Sequence, residues 1–367
     1  MYSFCTSRRQ HPEISPMPKS HSSPPIRIAF AGFQHGHVQA LYQAAQLRDD
    51  LAIVAASDEK EATRRALAAG GKVAITHSSI IKMLDEVPCD VVAVGDEYGR
   101  RGALLLEALA RGRHVISDKP ICTSLAELDQ IETAARAQGL VVGCQLDMRD
   151  GAVAAEARRR ILGGEIGEVH AVSVGGQHPL LYGTRPDWYF ERGKHGGTIN
   201  DIGIHALDAL PWMTGLRFRE ISFARVWNAR IPQAPEFQDG AQFAMVMSNG
   251  AGLLADVSYL APDAGGYRTP QYWRMTFWGS GGLLETDFST GQLVICRHDD
   301  AAPQRVQAEG GTSGGYLDSF VREVRGETEG LHLSSTEVLA ASRLALRVQE
   351  AADRGRCRVP LDASESH

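Results

Sequence analysis

Six cysteines among 367 residues, Cys5, Cys89, Cys122, Cys144, Cys296 and Cys357, form no CxxC pair. Their scatter excludes a zinc ribbon and a small disulfide scaffold, and a reducing cytoplasm is the expected setting. No run reaches the roughly 20 apolar residues of a membrane helix, so no membrane partner is expected. Positive charge is also scarce: 38 Lys and Arg stand against 44 Asp and Glu, a formal net charge of -6. Such a chain has no general attraction for nucleic acid or acidic lipid. A Gly-x-Ser-x-Gly nucleophile elbow is missing, which argues against a serine hydrolase. Arg8-Arg9 is not followed by an apolar stretch, so no secretory or twin-arginine signal is read. Residues 1–25, rich in Ser, Pro and His, read as a disordered tail.

What is present begins at Ile26. The apolar run 26–31, a glycine turn, a helical pattern over 38–47 and a second apolar run 51–57 form a βαβ unit. Strands are predicted at 73–76, 90–95, 114–117 and 140–145, with helices at 80–84, 102–111 and 124–138 between them. Alternation of this kind predicts an α/β fold with a doubly wound parallel sheet over 26–146. The rhythm breaks near Asp147. After a helix at 152–162 come strands at 169–175, 220–228, 241–247, 252–259, 274–278 and 282–287, then helices at 316–325 and 335–353. Consecutive strands predict a second α/β domain over 147–367, built on an open, mostly antiparallel sheet.

The turn Gly32-Phe33-Gln34-His35-Gly36-His37 joins the first strand to the first helix, where backbone N–H groups hold a pyrophosphate in dinucleotide-binding folds. A G-x-G-x-x-G fingerprint would need glycine at 34 and 37, so a plain tight turn is the competing reading. Asp58, 26 residues after Gly32, adds weight as a carboxylate for the adenosine ribose hydroxyls, and without a neighbouring arginine it favours NAD over NADP. Capping of the next helix is its simpler role.

Lys119 follows the strand 114–117 at the carboxyl end of the sheet, held extended by Pro120. In Gly196-Gly197-Thr198-Ile199-Asn200-Asp201-Ile202-Gly203-Ile204-His205-Ala206-Leu207-Asp208, Asp201 and His205 are four residues apart on one helical face. Lysine, carboxylate and imidazole together suit proton removal from a secondary alcohol while hydride leaves for a nicotinamide. One histidine and one or two carboxylates are too few for zinc, and no metal is expected. Asp208 is placed to orient the His205 ring. The segment 177–189 mixes aromatic and hydrogen-bonding groups suited to sugars, with His178 and Tyr182 as candidates; packing of the loop is the plainer alternative.

Across residues 26 to 355 the chain resembles the Gfo/Idh/MocA family. Ala110-Arg111-Gly112-Arg113-His114-Val115-Ile116-Ser117-Asp118-Lys119-Pro120 is similar to the family's A-x-G-K-H-V-x-x-E-K-P, and the stretch from Gly196 to Asp208 to its Gly-Gly-x-x-x-Asp-x-Gly-x-His-x-x-Asp. The resemblance implies a Rossmann domain followed by a substrate and oligomerisation domain, with catalytic Lys119, Asp201 and His205. Asp118 and Lys119 would line the cofactor with Gly32 to His37 and Asp58, and Arg149 would join His178, Tyr182, Asp201 and His205 around a sugar. A homo-oligomer, dimer or tetramer, is implied. Departures are Asp118 for Glu, Glu97 for Pro, Tyr98 for Asn and Arg101 for His. The expected activity is NAD-dependent hydride transfer at a hydroxyl carbon of a sugar, glycoside or cyclitol. Redox-neutral glycoside cleavage through transient oxidation, and sensing of NAD or sugar without turnover, are the alternatives.

Overall fold

The computed structural model describes residues 24–361. The expected tail lies outside the described residues apart from Pro24 and Pro25, and Cys5 lies outside with it. Strands β1 (Ile26–Ala31), β2 (Leu51–Ser57), β3 (Val91–Val94), β4 (His114–Asp118) and β5 (Val142–Gln145) pair in parallel in the order β2-β1-β3-β4-β5. Helices α1 (His37–Gln46), α2 (Glu61–Gly70), α3 (Ile80–Glu86), α4 (Tyr98–Ala110) and α5 (Leu125–Gln138) connect them. Apart from Arg27, every residue of β1 is buried, as a central parallel strand requires.

The strand expected at 73–76 does not form. Only its end reaches β2, through Thr76 and His77 N–H groups that both donate to the Ala56 carbonyl, giving a single bridge between Ser57 and His77. Of its four residues only Val73 is buried, so the segment has no apolar face to anchor in the sheet.

Among the described residues the second sheet has nine strands: β6 (Val169–Pro179), β7 (Phe218–Trp227), β8 (Gly240–Met247), β9 (Gly252–Ala261), β10 (Arg274–Gly279), β11 (Gly282–Asp287), β12 (Gln292–Arg297), β13 (Gln304–Gln307) and β14 (Val359–Pro360). Pairing is antiparallel except between β6 and β9. The last three strands along the chain were not expected from the sequence, because β13 is almost wholly exposed and β14 has two residues. Helices α6 (Ala152–Leu162), α7 (Ile204–Thr214) and α9 (Ser335–Asp353) pack together over one face, and α8 (Gly315–Val324) with α9 also closes the β5 edge of the first sheet. The Ser335 hydroxyl accepts the Val142 N–H there. A capping box between Ser334 and Glu337 starts α9 where the sequence places it. Among the described residues no helix is long and apolar enough to cross a membrane.

Candidate active site

Between the carboxyl ends of the parallel sheet and the inner face of the second sheet lies a cavity of about 750 Å³. Lys119, just past β4, enters it from one side, and Asp201 and His205 from the other. Residues 199–203 form a wide π-helical turn ahead of α7, a distortion frequent at functional positions. The glycine pair before it is needed: at Gly197 φ is +95°, and a Cβ would fall 2.2 Å from the Gln349 side chain.

Asp201 is the hub of the site. The Lys119 Nζ donates to its Oδ1 at 2.5 Å and to its carbonyl at 2.9 Å, and the Tyr98 hydroxyl donates to Oδ1 at 3.0 Å. Its Oδ2 accepts from the Tyr259 hydroxyl and stands 3.4 Å from His195 Nε2. Burial alone would push this carboxyl up, but Lys119 and His195 overturn that and hold it well below the ordinary aspartate value. His205 differs. Burial, then Lys119, His37 and His178, depress it well below 6.5, and its Nδ1 has no hydrogen-bond partner among the described residues. The result is a neutral imidazole beside a buried lysine-carboxylate pair. His178, also in the wall, is lowered to about 3 by burial and then Lys119. Tyr189, Tyr259, Tyr267, Tyr272 and Trp273 with Arg185 complete a mixed aromatic and polar lining.

Residues 26–146 match the model of an oxidoreductase family with an NAD-binding Rossmann fold, and residues 154–285 match the GFO/IDH/MocA C-terminal domain. The chain belongs to the Gfo/Idh/MocA family. It is 29% identical to the D-glucoside 3-dehydrogenase of Escherichia coli K12 over 54% of this chain and 57% of that protein. It is 30% identical to the 1,5-anhydro-D-fructose reductase of Ensifer adhaerens over 36% of this chain and 40% of that protein. The chain thus spans about half the length of the curated relatives it matches. An inositol dehydrogenase homolog from Azotobacter vinelandii, solved in complex with NAD+, superimposes with a TM-score of 0.75 at 20% identity, covering 93% of this chain and 98% of that one. That likeness shows the shared fold.

Several expected Gfo/Idh/MocA site residues stand elsewhere. Arg149 is turned from the cavity into a bidentate pair with Asp208 (2.6 and 2.9 Å) and a bond to Glu337 at 2.7 Å, so it joins α7 to α9. Asp208 is thereby taken from His205, whose ring it was expected to orient. Tyr182 is 49% exposed and packs on Phe190. Gly32, with φ at +84°, makes the tight turn itself, since a Cβ there would meet Asp96 at 2.8 Å. Phe33 is buried against Phe30 and Tyr42. Asp118 is wholly buried, gripped by Arg101 and facing His35. Arg101 itself, in place of the family's frequent histidine, donates to the carbonyls of Asp96, Asp118, Lys119 and Pro120 and lies 4.4 Å over the Tyr98 ring.

A dinucleotide fits one half of this turn and meets an obstacle in the other. Gly36 lines the cavity, a Cβ there would touch nothing within 4 Å, and α1 has no side-chain cap, so its first N–H groups face open space suited to a pyrophosphate. Asp58 departs from the expectation of an open ribose anchor. It is wholly buried, accepting from the Phe33 N–H (2.7 Å), the Lys60 N–H (2.8 Å) and both oxygens from Gln34 Nε2 (2.8 and 2.9 Å). Trp188 donates to the Gln34 carbonyl and holds that residue down. A cation stands beside Asp58 after all, because Arg64 donates to its carbonyl. For a ribose to reach Asp58, Gln34 must let go, which forfeits hydrogen bonds to a charged group of about 1.5–3 kcal/mol each. Gln34→Ala is therefore expected to lower the Kd for NAD by about tenfold or more in a fluorescence titration; an unchanged Kd would show that Gln34 does not guard the ribose site.

Proposed function

We propose that this protein moves a hydride between a nicotinamide and a hydroxyl-bearing ring carbon of a sugar, glycoside or cyclitol. The observation that carries this reading is the convergence of a neutral His205 and the Lys119–Asp201 pair on one cavity beside the open start of α1. The bound nicotinamide would supply the hydride acceptor or donor. Gly36 and the first turn of α1 would hold its pyrophosphate. His205 accepts the hydroxyl proton, and the Lys119 ammonium steadies the oxygen as negative charge grows on it. Asp201 fixes that ammonium by two bonds. Tyrosine and tryptophan faces with Arg185 suit a ring with apolar C–H faces and equatorial hydroxyls. The names of the glucoside, anhydrofructose and inositol relatives point to the same substrate class.

NAD is proposed over NADP because the Asp58 carboxylate repels a 2'-phosphate, and the cations nearby are taken up: Lys60 by Glu97, Arg64 by two backbone carbonyls. The free thiols of Cys89, Cys122 and Cys144 suit a reducing, cytoplasmic setting. The test is a panel of polyols and glycosides with NAD, read as NADH absorbance. Absence of both NADH formation and the reverse reaction across that panel would sink the reading.

We also propose a homo-oligomer formed through the outer face of the nine-stranded sheet. Thr276, Ser173, Leu254, Ala244 and Phe223 lie in one row across five strands. Leu254 is 65%, Trp278 49% and Phe223 42% exposed, an apolar patch of the kind that marks an interface. Leu254→Glu is expected to convert the oligomer to monomer by light scattering after gel filtration; a variant of unchanged mass would rule this face out.

A further inference from the structure

We propose that His35, His37 and the Asp118 carboxylate bind a divalent transition-metal ion at the rim of the cavity. Their ligand atoms all lie within 4.8 Å of one another. The sequence supplies them from two places: His35 and His37 flank Gly36 at the start of α1, and Asp118 ends β4, the strand that faces α1 across the carboxyl edge of the sheet. This departs from the expectation that the chain binds no metal, which rested on the Asp201–His205 stretch and did not join these three.

Proximity alone would be weak, but the hydrogen bonding is incomplete in a telling way. Asp118 Oδ2 accepts from Arg101 at 2.9 Å and faces His35 Nδ1. Among the described residues its Oδ1 is wholly buried with no hydrogen-bond partner, and 3.3 Å away His37 Nδ1 is likewise buried without one. Buried polar atoms are nearly always satisfied, and a carboxylate oxygen is costly to leave bare. An ion about 2.0–2.2 Å from each donor satisfies both atoms at once. Two imidazoles and one carboxylate on one side of an ion leave its other positions open, here toward the cavity that His35 and His37 line. Arg101 holds the outer oxygen of Asp118 and orients the carboxylate, as partners behind metal ligands do.

The donor set also limits the ion. Two neutral nitrogens and one carboxylate suit Zn²⁺, Co²⁺ or Ni²⁺, whereas Mg²⁺ and Ca²⁺ want oxygen shells. The positive end of α1 and the Arg101 guanidinium work against a cation, which further disfavours ions held by charge alone. The open positions would meet the hydroxyl or carbonyl oxygen of a ligand lying against Lys119 and His205.

The experiment is titration of the chelator-treated full chain with Co²⁺ and Zn²⁺, by calorimetry and by the visible absorption of bound Co²⁺, without dinucleotide or sugar. One ion per chain is expected, with Mg²⁺ unable to displace it. His37→Ala, at a half-exposed side chain whose loss leaves the fold intact, is expected to weaken binding by more than about 100-fold, and His35→Ala likewise. His178→Ala in the same cavity is the control and is expected to bind as the wild type does. Absence of stoichiometric binding, or binding that survives His35→Ala and His37→Ala unchanged, would overturn the proposal. Metal uptake is measured without turnover, so its failure would leave the hydride-transfer reading intact, and the reverse also holds.

Discussion

His205→Ala is expected to lower kcat by about 100- to 10,000-fold while the circular dichroism spectrum and unfolding midpoint stay close to wild type. The side chain lines the cavity, its Nδ1 makes no hydrogen bond among the described residues, and its ring meets that of Trp273 edge to face, so little of the fold depends on it. In the proposed reaction His205 is the base. A base must be unprotonated to work, so activity is lost as pH falls through its pKa. Burial first and Lys119 second depress that pKa well below 6.5. The acid limb of kcat/KM is accordingly expected well below pH 6.5 rather than at it. Lys119→Met should cost a comparable factor and also release Asp201, whose carboxyl burial would then push upward. The kcat of His205→Ala within a factor of two of wild type, or an acid limb at 6.5, would remove His205 from the proton-transfer role.

That Lys119, Asp201 and His205, the proposed trio, meet at one cavity was readable because each lies in a compact motif whose local structure fixes its direction: a strand end, a glycine pair, a helical face. The groups that set their electrostatics were not. Tyr98, His195 and Tyr259 converge on Asp201 from α4, a loop and β9, and the sequence carries no periodicity that joins them. An aromatic-rich stretch before the glycine pair was visible, yet only packing shows that His195 Nε2 lies 3.0 Å from the Tyr259 hydroxyl. Arg149 and Asp208 failed for an instructive reason. Asp208 was placed by its spacing to His205 and Arg149 by the family resemblance, whereas a buried arginine and a buried aspartate find each other, as unpaired charges in a low-dielectric interior must. The same cause closes Asp58, since Gln34, standing where a glycine would leave the carboxylate open, reaches it directly. In the fold, long amphipathic helices such as α9 and almost wholly buried strands such as β1 were clear, while the half-exposed strands β12 to β14 carried too little alternation to be read.

In the metal-free protein, Arg101→Met is expected to cost about 3–5 kcal/mol of stability, measured as the free energy of urea unfolding, because it removes the guanidinium paired with the wholly buried Asp118 carboxylate. The guanidinium makes five hydrogen bonds within the protein, and four of them hold backbone carbonyls of Asp96, Asp118, Lys119 and Pro120. Arg101→Lys keeps the charge but not the planar fork, so it is expected to recover only part of the loss. The double variant Arg101→Met with Asp118→Asn removes both charges and should be more stable than Arg101→Met alone, a non-additivity expected of contacting groups. Arg101 also fixes the backbone that presents Lys119 to Asp201. Its replacement by lysine is therefore expected to reduce kcat more than stability loss would account for, at temperatures where the variant is fully folded. A loss below about 1 kcal/mol in Arg101→Met would mean that water or His35 takes over the carboxylate, and the buried clamp would then have to be withdrawn as the element that holds Lys119 in place.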